Sequence, residues 1–448
     1  MAAAQLHPPF ALRARLLSPL SDGGLLDERD GLLDVDAAGR ITRAGAWTGA
    51  EAPASAFDIR PLLLMPGMVD LHAHLPQIPN AGLGSGLDLL TWLDRYIFPL
   101  ERAYDRTVAQ RQAPAAFEAF AAAGTTTVVA YAALWPESTD AAFAAAEAHG
   151  IRAVIGKVMM DRLSYDTALA AADVLTTSLR QSDELASRWH GADDGRLRYA
   201  FTPRFAVSCT ADMLRESALL AAHHDAYWQT HLSEDRGEVS EVRRLFPEAR
   251  DYLDVYDRAG ALGPRTILAH AIHLSQPEIE RLVASDARVA HCPASNLFLS
   301  SGMMPLASYR EAGMRIGLGS DVAAGPEISI FSVMRAGAVT QRVVELSRRE
   351  DSAGSGVLGA LDWIRMGSLE GARVLGMDEA IGSLEVGKEA DMIAVDPRFT
   401  NPLPTDEPPS SADEVASRLV FRPHPNMVRA TWVRGHPVVG PPGIEAIG

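Results

Sequence analysis

A rhythm in the middle of the chain limits the possible folds more than any other feature. Short apolar runs recur near Leu62–His74, Thr126–Ala133, Ile151–Met160, Leu197–Phe205, Ala226–His231, Thr266–His270, Arg288–His291 and Arg315–Asp321. Segments with helical periodicity, such as Ala115–Ala123, Asp140–His149, Ala211–His223, Pro277–Val283 and Ile330–Leu346, fall between them. Runs this short and this apolar read as strands buried on both faces, and a helix between successive parallel strands is the repeating unit of α/β folds. Repeated in this way, the unit predicts a closed (β/α)8 TIM-like barrel.

The two ends have a different texture. Leu16–Leu26 and Leu32–Ile41 are short strand-like segments broken by Asp and Gly; Ser383–Val395 and Met427–Val439 repeat the pattern around a Pro-rich stretch, Pro397–Ser411, that reads as a surface loop. At 448 residues the chain is long enough for a second, smaller core. The expected organisation is a barrel over residues 66–380, with a small β-sandwich assembled from residues 1–65 and 381–448.

A barrel of this kind carries its reactive side chains at the C-terminal ends of its strands. His72 and His74 end the first run, His231 the fifth, His270 the sixth and Asp321 the eighth; Glu234 follows His231 by three residues. Alternate residues of a strand point the same way, so the imidazoles of His72-Ala73-His74 share one face. Imidazoles gathered in this way suit zinc or ferrous iron. Three histidines and an aspartate around an open coordination position form a catalytic metal site, not a structural one.

The residues around these positions carry a resemblance. "PGMVDLHAH", the isolated His231, the following His270 and the Gly-Ser-Asp at 319–321 resemble the amidohydrolase superfamily, over most of the chain and including "GSLEVGKEADMIAVD". More narrowly, "HAHLPQ", "LDLLTWLDRYIFPLE", "FTPRFAVSCT", "QTHLSEDRGEVSEV", "ILAHAIHLS", "VAHCPASNLFLSSG" and "IGLGSDVAAG" resemble the guanine deaminases. The resemblance implies that His72, His74, His231 and Asp321 bind one metal per chain, zinc first and Fe2+ second. It implies Glu234, His270 and Asp321 as catalytic groups, Glu234 being the proton shuttle. It gives Gln77, Arg204 and Phe205, with Glu234 and Asp321, to the purine. The implied reaction is hydrolysis of guanine to xanthine and ammonia in purine catabolism, with a small molecule as the only partner besides a second copy in a homodimer. "YIFPLE" and Ala324-Gly325-Pro326 depart from the family pattern at the edge of the pocket, away from the ligands.

Chemistry leads to the same reaction class. A metal-bound water deprotonates near neutrality instead of at about 15.7, and a carboxylate beside it can carry its proton onward. Sister hydrolases acting on cytosine, S-adenosylhomocysteine or triazines share the metal set, so only Gln77 and Arg204–Phe205 separate them from a guanine enzyme. A non-catalytic dihydropyrimidinase-like scaffold would have lost ligands that are all present here. The cytidine-deaminase zinc site needs a Cys-x-x-Cys, and the only cysteines are Cys209 and Cys292. Binuclear relatives carry a carboxylated lysine, commonly at the end of the fourth strand; here Thr202-Pro203-Arg204 stands there and the only barrel lysine is Lys157 on the third.

Other polar residues read as structural. Asp235, Glu238 and Glu241 suit the exposed start of a helix, His273 and His291 suit hydrogen-bonded structural positions, and His149, His223 and His224 fall on or at the end of helices. Trp92 and Phe98 fit either a lid after the first strand or plain packing. A net charge of −16 repels phosphate backbones, which argues against nucleic acid. Without a long apolar span, a signal-like start or a disulfide framework, the expected setting is cytoplasmic and away from membranes.

Overall fold

Gly67 is the hinge between two sheets. In the computed structural model, which describes residues 6–49, 56–166, 169–348, 357–403 and 411–439, the strand Phe57–Pro66 belongs to one sheet and Met68–His74 to another. A Cβ on Gly67 would stand 2.2 Å from Thr126 Oγ1, so only glycine lets the chain cross there.

The second sheet is the barrel. Its strands are Met68–His74, Thr125–Tyr131, Arg152–Gly156, Leu197–Pro203, Tyr227–Leu232, Thr266–His270, Arg288–His291 and Ile316–Leu318, each parallel to the next. The last strand meets the first through backbone hydrogen bonds from Asp321 N to His72 O (2.7 Å) and from His74 N to Val322 O (3.0 Å). Every expected run therefore supplies a barrel strand. Helices lie between the strands and begin on the residues physics favours: Asp105, Thr210 and Asp235 cap the first turns of Arg106–Ala122, Ala211–His223 and Arg236–Leu245.

Strict alternation along the first strand would put Leu71 and His72 on opposite faces. Opposite the second strand, Asp70 pairs with Val128 and Ala73 with Ala130, so the first strand spends one extra residue between these pairs. Such a bulge re-aims side chains. Val69 and Leu71 join Val129, Val154, Ala200 and Ile267 in a buried cluster, while His72 and His74 turn toward one another.

Strands from both chain ends form the other sheet, seven-stranded and mixed, in the order His436–Val439, Val428–Val433, Met392–Val395, Phe57–Pro66, Phe10–Pro19, Leu25–Val35, Ile41–Ala46. It buries its own core of Leu12, Leu16, Leu33, Leu64, Met392 and Trp432. Only the end of the expected Ser383–Val395 segment is a strand. Gly387 adopts φ +93°, and the Glu385 carboxylate accepts from Ser21 and from Lys388, which favours a turn over a ladder. Of Pro397–Ser411, Pro397–Thr400 is a short 3-10 helix and residues 404–410 lie outside the described set. Among the described residues no helix is long and apolar enough to cross a membrane.

One buried ion pair joins the third barrel strand to the small sheet's approach. Arg152 donates from Nε to Asp391 (2.9 Å) and from Nη2 to Glu389 (2.5 Å), with Arg152 and Asp391 almost wholly buried. Removing Asp391 leaves the buried Arg152 with Glu389 alone, and breaking a buried pair costs up to about 3–5 kcal/mol. Asp391→Ala should therefore lower the urea midpoint substantially, whereas a shift within the error of the measurement would show that the pair does not link the two sheets energetically.

Candidate active site

The strand ends converge. His72 and His74 close the first barrel strand, His231 stands one residue before the end of the fifth, His270 ends the sixth, and Asp321 lies three residues past the eighth. Nε2 of His74 is 3.2 Å from Nε2 of His72 and 3.4 Å from Nε2 of His231. Asp321 Oδ1 lies 3.2 Å from His72 Nε2 and 3.3 Å from His74 Nε2. Ligand atoms at the ~2.0–2.1 Å of zinc bonds at tetrahedral corners are about 3.4 Å apart. The spacing fits a single ion.

The protonation chemistry fits too. Burial holds His72 below its usual pKa, His74 at about 4 and His231 well below, which leaves neutral imidazoles. His231 Nδ1 lies 2.6 Å from the Arg204 carbonyl, an oxygen that can only accept, so its proton sits there and Nε2 is left as a donor atom for metal. Burial would raise Asp321, but His72, His74 and His270 overcome it and hold the carboxyl well below its usual range. Ser295 Oγ donates to Asp321 Oδ2 at 2.6 Å. Asp70, wholly buried and pushed up to about 7 mainly by desolvation, accepts from the backbone N–H groups of His72 (3.2 Å) and Ser320 (2.9 Å), tying the first strand to the eighth beneath the cluster. His270 and Asp321 sit at φ +71° and +49°, strained values for residues with a Cβ that persist where the surroundings over-determine them.

Glu234 is buried beside this cluster, with Oε2 3.3 Å from His270 Nε2 and Oε1 accepting from Ser301 Oγ at 3.4 Å. Burial first, then the charge of Asp321, raises its pKa well above the usual value. His270 is held from behind by Asn296 Oδ1, 2.9 Å from Nδ1.

A pocket opens onto these groups. Its walls include His74, His231, Glu234 and Asp321, together with Gln77, Arg204 and Phe205. Gln77 belongs to the short helix Leu75–Asn80 after the first strand, and Arg204 and Phe205 follow the fourth. Trp92 also lines the pocket, with Leu89 and Leu93; Phe98 instead lies beneath the Arg204 guanidinium, 5.4 Å from its ring centroid. The structure thus gathers His72, His74, His231, His270, Glu234, Asp321, Gln77, Arg204 and Phe205 in one place.

Two structural expectations need correction. Glu238 is wholly buried, because its carboxylate accepts from the N–H groups of Glu234 (2.8 Å) and Asp235 (3.2 Å) and from Tyr252 (2.6 Å). The Asp-x-x-Glu of a capping box was its signal in the sequence. His291 is buried with neither ring nitrogen hydrogen-bonded among the described residues, and desolvation pushes it down to about 3. Glu101 and Tyr131, to which no role is given by the sequence, also belong to the site. Tyr131 packs its ring 4.6–5.1 Å from those of His72, His74 and His231, and Glu101 reaches Gln77 and Arg204 from behind. The one sequence hint for Glu101 is a lone acid closing the run Tyr96–Leu100.

Residues 63–438 match the amidohydrolase family model. The chain belongs to the amidohydrolase family, alongside the guanine deaminases. It is 37% identical to a probable guanine deaminase of Deinococcus radiodurans, over 84% of this chain and 85% of that one. It is 35% identical to the guanine deaminase of Escherichia coli, over 83% and 82%. The structure of guanine deaminase from C. acetobutylicum, with guanine bound in its active site, superposes with a TM-score of 0.88 over 96% of this chain and 100% of that one, at 27% identity.

Lys157 bears on how many ions this amidohydrolase site can hold. It is buried at the end of the third strand, its Nζ donating to Ser178 Oγ (3.0 Å) and the Val158 carbonyl (3.3 Å). Among the described residues, the groups positioned to hold a metal all draw on one cluster. Elemental analysis should find one tightly bound metal per chain, and two would contradict the mononuclear geometry.

Proposed function

We propose that this protein hydrolyses guanine to xanthine and ammonia, as part of purine catabolism. The observation that carries the reading is a single pocket in which Gln77, Arg204 and Phe205 share walls with His74, His231, Glu234 and Asp321. The guanine held by the C. acetobutylicum enzyme and the names of the bacterial relatives support the choice of substrate.

His72, His74, His231 and Asp321 would hold one metal ion, zinc in preference to Fe2+ given imidazole and carboxylate donors at near-tetrahedral spacing. When bound, the metal lowers the pKa of a water and so supplies a nucleophile at neutral pH. Glu234 takes one proton of the attacking water and delivers it to a ring nitrogen, then takes the remaining proton from the hydroxyl on the tetrahedral carbon and delivers that one to the departing amine. A carboxyl whose burial beside Asp321 raises its pKa suits both directions of transfer. His270, fixed through Asn296, stabilises charge as C2 of the purine becomes tetrahedral. Phe205 gives the ring an apolar face, while Gln77 and Arg204 take its polar edge. Bond accounting closes: the carbon exchanges its amine for the water oxygen, one water proton stays on the ring nitrogen, and the amine leaves as ammonia with the other. Cys209 and Cys292, both buried and free, suit a reducing, cytoplasmic setting.

Glu234→Gln keeps the shape and the metal ligands but cannot carry a proton. Guanine turnover should fall by roughly 10²–10⁴-fold, with metal content at the level of the unaltered protein. Retention of more than about a tenth of the rate, below the range expected for general acid–base catalysis, would mean that another group carries the proton.

A further inference from the structure

The two polar side chains proposed to read the purine are not independent. Both are tied to Glu101, a wholly buried residue of the helix Phe98–Ala103 that does not itself line the pocket. Its Oε1 accepts from Gln77 Nε2 at 2.8 Å. Its Oε2 accepts from Tyr165 Oη at 3.0 Å and from Arg204 Nη1 in a short, buried ion pair. Tyr165 is in turn held by the backbone N–H of Leu134, 3.2 Å away, so the carboxylate rests on a fixed platform.

A carboxylate in such a pair only accepts, and this decides what the pocket offers. An amide has one donating and one accepting end. With its NH2 committed to Glu101, Gln77 keeps Oε1, a buried oxygen without a hydrogen-bond partner among the described residues. Turning the amide over would set two oxygens against each other, so Glu101 fixes Gln77 as an acceptor toward whatever fills the pocket. Arg204 has five N–H groups in a planar fork and spends one on Glu101, over the Phe98 ring. It therefore faces the pocket as a donor whose plane is set by the same carboxylate.

We propose that Glu101 is a positioning residue that determines specificity: it fixes an acceptor at Gln77 and a donor at Arg204, and thereby selects a ring that offers both an N–H and a carbonyl oxygen. The proposal rests on the guanine reading above and adds the reason why this pocket prefers a lactam edge. A ring with only lone-pair nitrogens on that edge would leave Gln77 Oε1 unpaired, and a site built around hydrogen bonds rejects such analogues strongly.

The test compares guanine with 2-aminopurine, which carries the same exocyclic amine but lacks the neighbouring N–H and carbonyl. In Glu101→Gln the new amide can donate as well as accept, which frees Gln77 to reverse and loosens Arg204. The ratio of kcat/KM for guanine over 2-aminopurine should fall by about tenfold or more, the size expected for a charge-assisted hydrogen bond. Metal content should be unchanged. Tyr165→Phe, which removes one donor from Glu101 without touching the pocket, should shift the ratio the same way by about two- to tenfold; it serves also if Glu101→Gln does not fold. A merely structural role would lower turnover of both purines together. Ratios unchanged in the soluble variants would overturn the assignment of Glu101, whereas an unaltered protein that ignores guanine would remove the functional reading beneath it.

Discussion

Crowding of electron pairs at the mouth of the barrel is the constraint on which the rest of the site depends. Nε2 of His74 lies 3.2–3.4 Å from Nε2 of His72, Nε2 of His231 and Oδ1 of Asp321, in a region where burial keeps the imidazoles neutral. Lone pairs so placed repel unless a cation lies among them, and the low dielectric of a buried site magnifies both the repulsion and its relief. Much of the local structure holds these groups against their own preference. Backbone hydrogen bonds between His72 and Asp321 and between His74 and Val322 close the barrel at this level, and Asp70 braces the same two strands from below.

The bracing continues outward. Arg204 serves the site twice: its carbonyl orients His231, and its guanidinium lines the pocket. Tyr256 donates to the His231 carbonyl at 2.7 Å and accepts from the Ala206 N–H at 3.1 Å, which joins the fifth strand to the loop after the fourth. Glu238 holds the backbone of Glu234 and is itself held by Tyr252. In a network of this kind each buried polar group is costly if left alone and rigid when satisfied. Rigidity is what a proton carrier needs, since it must serve water, ring and leaving group from one position.

What was legible in the sequence follows from which residues obey short-range rules. Strands buried on both faces announce themselves as apolar runs, and histidines at their ends stand out against that background, so the barrel and the convergence of His72, His74, His231 and Asp321 could be read directly. Gln77, Arg204 and Phe205 emerged only through the family resemblance. The bulge between Asp70 and Ala73 was invisible, because it is a matter of pairing between strands and leaves the composition of each unchanged. Glu101 and Asp70 were hidden for a related reason. An isolated acid reads as a solvated side chain, and only tertiary contacts reveal that its partners are buried N–H, O–H or guanidinium groups. His291 went the other way: its type suggested a hydrogen-bonded role that the packing around it does not supply.

The central claim is that this cluster and this pocket together hydrolyse guanine, and kcat/KM for guanine, cytosine and adenine side by side, on metal-replete protein, tests it most directly. The account predicts that guanine is the best substrate by a wide margin, because only guanine among the three places an amine between ring nitrogens next to a lactam carbonyl. Negligible turnover of guanine, with cytosine or adenine preferred, would contradict it.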